Sequence, residues 1–371
     1  MSKVISVQKP YLGKDELASV SKVFESAWLG MGAEVKKFED EVEKYLNAKY
    51  FVAVNTGTSA IHLALLTSGV GVGDEVIVPS LTFVASIHPI IYCGAKPVFC
   101  DVEPDTLNID VKDFEKKITS KTKAVIPVHY SGQPADMDPL IKLAKKHKIT
   151  VIEDAAHAFG SKYKNKKIGS FGDMTCFSFD PIKNITCGEG GGIATSNPKW
   201  VKQIIKKRIM GIDKETWTRY KNNRNWHYSI DSIGFRYHMS NINAAIGIVQ
   251  LKRLNKIIDG KKKIVKKYDD AFKKIPQLEI TKKNYNETAP FNYILKVKVR
   301  RQELIDYLKQ KGIDTGIHYI PNHLQPFFKK FKTKLPVTEK LFGEILTLPL
   351  YYGMTNKDIN KVIDGIRGFY A

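Results

Sequence analysis

From about residue 50 the chain alternates short runs of β-branched and other apolar residues with longer helix-like segments, and nothing else in it restricts the fold as strongly. YFVAV (50–54) precedes SAIHLALL, EVIVPS (75–80) precedes a second helix-like stretch, and PVFCDV (97–102), AVIPVH (124–129) and TVIED (150–154) continue the series. Runs that are apolar along their whole length suit strands buried on both faces, and the helical segments between them suit βαβ crossovers. The expected class is α/β, with a mostly parallel central sheet flanked by helices. At about 150 residues per domain, a 371-residue chain allows two to three domains.

After Asp154 the texture changes. Glycine-rich sequence with short strand-like pieces (TCFSF, GGIATS) leads to a helix from about Pro198 to Met210, then to a polar stretch, 211–233, containing Trp217, Arg219 and Trp226. A long helix is expected from Ser240 to about Lys256, and a second, lysine-studded amphipathic helix beyond it. The last ninety residues read strand (FNYILKVKV), helix (RQELIDYLKQKG), strand (IDTGIHYI), with helices near 336–346 and 356–369. These spans divide the chain into a large α/β domain, 1–255, and a small C-terminal α+β domain, 256–371.

Lys plus Arg (59) exceed Asp plus Glu (38) by 21, which suits an anionic partner or simply a solvated Lys-rich surface. Nucleic-acid binding is the remote alternative; the lysines are spread along the chain, without interleaved basic and aromatic motifs. Val76 to Ala95 carries no Lys, Arg, Asp or Glu, yet its prolines, serines and histidine suit a buried strand and helix better than a membrane span. The N-terminus has no apolar core of signal-peptide length. The four cysteines (Cys93, Cys100, Cys176, Cys187) form no CxxC pair, so neither a disulfide framework nor a metal site is expected. The expected location is cytoplasmic, with no membrane or nucleic-acid partner.

Three segments are candidates for chemistry. NTGTSAIHLAL (55–65) runs from a strand through a Gly-Thr turn into a helix, whose N-terminal amides attract phosphate; Thr58 or Ser59 is equally explained as an N-cap. Asp154 ends a buried parallel strand, where a carboxylate faces the ligand crevice of such sheets or caps the next helix. In FSFDPIKNITCGEGGGIATS (177–196), Lys183 lies between an apolar strand and a glycine run, a setting for a nucleophilic amine with lowered pKa. The glycine run is neither a Walker loop nor a GxGxxG turn after a first strand. Each signal alone has an ordinary structural explanation. Together, a phosphate cradle, a strand-end Asp, a hydroxyl (Ser178) and a lysine fit pyridoxal phosphate.

The stretch 152–195, with VPSLTFVAS (78–86), GAKPVFCDVEPDTLNID (94–110), VHYSGQPADMD (128–138), MSNINAAIGIVQL (239–251) and GIHYIPNHLQPFF, closely resembles the DegT-type sugar aminotransferases of the fold type I superfamily. The resemblance covers residues 8 to 366. It implies that Lys183 forms the Schiff base with pyridoxal phosphate, and that Asp154 pairs with the pyridine nitrogen. It further implies that Phe83 stacks on the cofactor, that Gly57, Thr58 and Ser178 cradle its phosphate, and that His157 lies beside its ring. Gln133 is expected behind these. Relatives that dehydrate sugars carry histidine where Lys183 stands, so the resemblance favours transamination: L-glutamate as donor and a nucleotide-linked keto sugar as acceptor. A keto-sugar phosphate or keto-cyclitol is the alternative acceptor.

The family's sites are shared across a homodimer, and a family Asn reaches the neighbour's cofactor phosphate. Here Gly234-Phe235-Arg236-Tyr237-His238-Met239 replaces the usual Gly-x-Asn-Tyr-Arg-Met, and Arg236 is expected to make that contact. His318, Tyr319 and His323 are candidates for the sugar pocket, and Arg219, with Trp217 and Trp226, for a cover over the nucleotide.

Overall fold

The computed structural model describes residues 4–212, 228–331 and 333–371. Seven strands form the central sheet: β1 (Tyr50–Val54), β2 (Glu75–Pro79), β3 (Lys96–Cys100), β4 (Thr122–Val125), β5 (Thr150–Asp154), β6 (Met174–Ser178) and β7 (Gly191–Thr195). Their order is β1-β7-β6-β5-β4-β2-β3. From β6 to β3 every pairing is parallel; β7 alone runs antiparallel, to both β6 and β1. The helices of this part are α1 (Lys14–Glu25), α2 (Ala33–Leu46), α3 (Gly57–Thr67), α4 (His88–Tyr92), α5 (Val111–Lys117), α6 (Met137–Lys146) and α7 (Pro198–Lys207).

Strand alternation divides the core into two layers. Phe51 and Ala53 of β1 face α2, α6 and the start of the next long helix, whereas Val52 and Val54 face α3, α4 and α7. α3 is buried on nearly every side, because the sheet lies on one face and α4 and α7 cover others. Thr56 caps it by accepting the Ser59 N–H at 3.0 Å. The glycines of β7 allow two close approaches. A Cβ on Gly191 would come within 2.4 Å of the Thr56 carbonyl, and one on Gly192 within 2.0 Å of the Phe51 ring. The glycine run is therefore what lets the start of α3 rest on the sheet.

The rest of the chain adds α8 (Asn241–Phe272), β8 (Leu278–Ile280), β9 (Tyr293–Val297), α9 (Arg301–Gln310), α10 (Pro336–Glu344), β10 (Ile345–Leu348) and α11 (Asn356–Tyr370). β8, β9 and β10 make a small antiparallel sheet in that order. Three details depart from expectation. The two helices read around residue 256 are one 32-residue helix, α8. Its buried face changes partners along its length: Ala244, Ile248, Leu254 and Ile258 join the large core, and Ile264, Val265, Tyr268 and Phe272 the small one. The boundary expected at 255/256 thus lies inside a helix, and Ile5, assigned to the large domain, packs with the small one and bridges Ile313. IDTGIHYI is not a strand; its backbone pairs only at Ile313 with Ile5 and Gly316 with Thr347, then crosses toward the carboxyl ends of the large sheet. Among the described residues no helix is long and apolar enough to cross a membrane. All four cysteines are buried and free.

Candidate active site

A cavity of about 350 Å³ opens where β5 and β6 end and α3 begins. Such crevices at the carboxyl ends of parallel strands are where open α/β sheets take ligands. Gly57, Thr58, Phe83, Asp154, His157, Ser178, Lys183, His318 and Tyr319 all line it.

Asp154 is the last residue of β5 and 5% exposed. Its carboxylate accepts the Ser86 hydroxyl at 2.6 Å and the Ala156 N–H at 3.0 Å, and Ser86 in turn bonds Thr82. A buried carboxylate held by two donors presents a fixed negative charge to the cavity. Lys183 follows β6 in a turn closed by its own N–H to the Asp180 carbonyl, 3.1 Å. Burial lowers its pKa, while the carboxylates of Asp180 and Asp154 pull the other way. The ammonium lies 4.5 Å from the centroid of the Phe291 ring. Desolvation thus favours the neutral, nucleophilic amine.

His157 stacks on that same ring: its imidazole and Phe291 are 4.0 Å apart at 15°. Burial, with the nearby Lys183, holds its pKa well below the usual histidine value. Nδ1 accepts the Ser131 N–H at 3.4 Å, which assigns the proton to Nε2, 3.1 Å from the Tyr319 hydroxyl. Tyr319 accepts that proton's hydrogen bond and keeps its own O–H free to turn toward the cavity. Burial also raises the Tyr319 pKa, so the phenol stays protonated. His318 is fixed by Nδ1 on the Thr347 hydroxyl, 2.8 Å, and burial lowers its pKa to about 4.

The remaining expectations fall elsewhere. His323 does not line this cavity: its ring is held between the Ser80 hydroxyl (2.7 Å), just after β2, and the Glu339 carboxylate (3.2 Å) of α10. Arg236 lines a separate hollow of about 200 Å³ with Trp28, Met31 and His238. Gln133 accepts from Thr288 and the Asn284 N–H and stays outside the cavity. Arg219, Trp217 and Trp226 lie outside the described residues. Sequence reasoning missed Ser86 and Phe291. Ser86 was legible inside VPSLTFVAS, but its partner is 68 positions away; no local signal marks Phe291.

These residues fit pyridoxal phosphate. The first amides of α3, which have no intrahelical acceptors, and the hydroxyls of Thr58 and Ser178 lie together along the cavity, a donor set that suits an anion. A Cβ on Gly57 would stand 2.8 Å from Ser178 Cβ and fill it. Phe83 lines the cavity beside the Tyr319 ring, 5.6 Å between centroids, and is 56% exposed.

Comparison with known proteins agrees. The chain is 40% identical over 370 residues to the spore coat polysaccharide biosynthesis protein SpsC of Bacillus subtilis, covering 96% of this chain and 95% of that one. The Streptococcus pneumoniae protein Spr1654 matches in its PMP form (TM-score 0.93, 30% identity, 98% of both chains) and in its PLP form (TM-score 0.92, 29% identity, 98% of both). Helicobacter pylori PseC, an aminotransferase involved in the biosynthesis of pseudoaminic acid, superposes with a TM-score of 0.92 at 26% identity over 99% of both chains. The cofactor is pyridoxal phosphate. Residues 10–367 match the profile of the DegT/DnrJ/EryC1/StrS aminotransferase family, and the chain, with its PLP-enzyme fold and lysine-bearing cavity, belongs to that family.

Proposed function

We propose that this aminotransferase moves the amino group of L-glutamate to a keto group of a nucleotide-linked deoxysugar, supplying an aminosugar for a glycan, as a cytoplasmic homodimer with shared sites. The observation that carries this reading is the convergence of Lys183, Asp154 and the α3 N-terminus on one cavity. The names of SpsC and PseC, both tied to sugar biosynthesis, support the acceptor class.

Bound pyridoxal phosphate supplies an electron sink for the carbanion formed when a C–H bond next to nitrogen is broken. The chain's residues supply the rest. Lys183 Nζ takes a proton from one carbon and returns it to another, a task that needs a neutral amine at the start and carries the proton as an ammonium between the two transfers. Asp154 holds a proton at the ring nitrogen by opposing it with a carboxylate. Thr58, Ser178 and the α3 amides would hold the phosphate, and Phe83 would pack against the ring. Tyr319, bonded from behind by His157 Nε2, directs its hydroxyl toward substrate. Arg236, which lines a hollow apart from the cavity, is the residue proposed to reach the neighbour's phosphate.

The test is spectroscopic. Protein loaded with pyridoxal phosphate should lose its visible band on adding L-glutamate and regain it with a nucleotide-linked keto sugar. Recovery with a keto-sugar phosphate or keto-cyclitol alone would replace the proposed acceptor. Arg236→Ala should weaken cofactor retention; weakened sugar-nucleotide binding with unchanged retention would overturn that assignment.

A further inference from the structure

A second lysine lies buried behind Lys183. Lys261, near the middle of α8, is 4% exposed. Its Nζ donates to Asn184 Oδ1 at 3.0 Å and to the Phe291 carbonyl at 3.2 Å. Both acceptors are tied to the nucleophile: Asn184 is its neighbour in the chain, and the Phe291 ring is the one beside Lys183 Nζ. Lys261 Nζ is 5.9 Å from the centroid of the same ring. Asn184 donates onward to the carbonyls of Phe159 (3.2 Å) and Ala289 (3.4 Å), so the turn after Lys183 is anchored on two sides. Among the described residues Lys261 has no carboxylate partner. A buried ammonium with only neutral acceptors is costly, and an apolar side chain would fill the position more cheaply.

We propose that Lys261 is a positioning residue for Lys183, fixing the Asn184 turn and the Phe291 ring while competing with the Lys183 nitrogen for positive charge. The inference rests on the reading of Lys183 as the cofactor-binding amine. On the cavity side Lys183 faces Asp154, Asp180, His157, His318 and Tyr319. On the helix side the narrow crevice between the two lysines is lined by Lys9, Tyr11, Tyr351 and Tyr352. Two acidic groups therefore draw a proton toward Lys183, and Lys261 opposes them from behind. Lys283, bonded to the Ser131 hydroxyl, is a further half-buried amine near His157, its own pKa lowered by burial to about 7. Burial and the Lys183 charge together lower the Lys261 pKa to about 7, so the two nitrogens compete for a proton. Lys183 Nζ is 4.5 Å and Lys261 Nζ 5.9 Å from the Phe291 centroid, so the two nitrogens are at most about 10 Å apart; at that distance and an effective dielectric of about 20, one charge shifts the other by about one pH unit.

The experiment compares wild type with Lys261→Arg, Lys261→Met and Lys261→Gln, each loaded with pyridoxal phosphate. It reads the pH midpoint of the visible band and the pH dependence of cofactor capture by the apoprotein. Removing the charge lets Lys183 keep its proton to higher pH, so both midpoints should rise by about one unit in the Met and Gln variants. Arg, which keeps its charge at every pH, should hold both midpoints at or below wild type. Gln keeps a donor toward Asn184 without charge, and it serves as the test if the Met variant does not fold. Unshifted midpoints in the uncharged variants, with the cofactor trapped on Lys183 by borohydride, would overturn the inference alone. Trapping on another lysine would overturn the reading of Lys183 and the inference with it.

Discussion

Asp154→Asn separates the chemical role of the β5 carboxylate from its structural one. The substitution keeps size and shape but removes a charge and replaces one acceptor oxygen with an NH2. Ala156 N–H still finds Oδ1. Ser86, which donates to Oδ2 at 2.6 Å, can instead donate to Thr82 Oγ1, 2.8 Å away, and accept from the new Nδ2. The hydrogen-bond network can therefore invert at a cost of about 1 kcal/mol, and the apoprotein should unfold in urea close to wild type. The loaded enzyme should suffer far more. Removing the buried counter-charge of a protonated ring nitrogen costs about 3–5 kcal/mol, or about 10² to 10³ and somewhat beyond in rate. Stopped-flow loss of the visible band on mixing with L-glutamate measures that rate, beside urea unfolding of the apoprotein. A loss of less than about tenfold, with the cofactor bound, would refute the role given to Asp154.

Phe83→Ala should leave stability within about 1 kcal/mol, since the ring is half exposed, yet weaken pyridoxal phosphate binding about 3- to 10-fold through lost stacking; equilibrium dialysis checks it. Gly192→Ala should cost about 1–3 kcal/mol or more in urea unfolding, because its Cβ would meet the Phe51 ring at 2.0 Å. Stability should fall as pH drops from about 6.5 toward 4. Burial holds His62 and His318 near 4, so the unfolded chain binds protons that the folded one refuses; above 6.5 this contribution is complete. Urea midpoints across that range should show the loss, with a shallower slope for His62→Gln.

The residues legible in the sequence are those whose chemistry is local. Asp154 ends a strand-like run, Lys183 lies between such a run and a glycine run, and Gly57 and Thr58 stand between a strand and a helix, so position along the chain already implied position at the crevice. Phe291 and Lys261 carry no such mark. They reach the site through tertiary packing, from β9's approach and from α8, and a lysine in so basic a chain reads as solvated until its burial is known. α8 looked divided because its apolar face changes cores midway and Gly260 falls near the change. That glycine admits the Tyr352 ring, which a Cβ would meet at 2.4 Å; it does not end the helix. His323 shares a motif with His318 and Tyr319, but the backbone turns between them and sends it to Ser80.

The account turns on which nitrogen holds the cofactor. Protein loaded with pyridoxal phosphate, reduced with borohydride, digested and mapped by mass spectrometry reports this directly. The account predicts a pyridoxyl group on Lys183, absent from the protein in Lys183→Ala. The same group on Lys261 or any other lysine, or its persistence in Lys183→Ala, would contradict it.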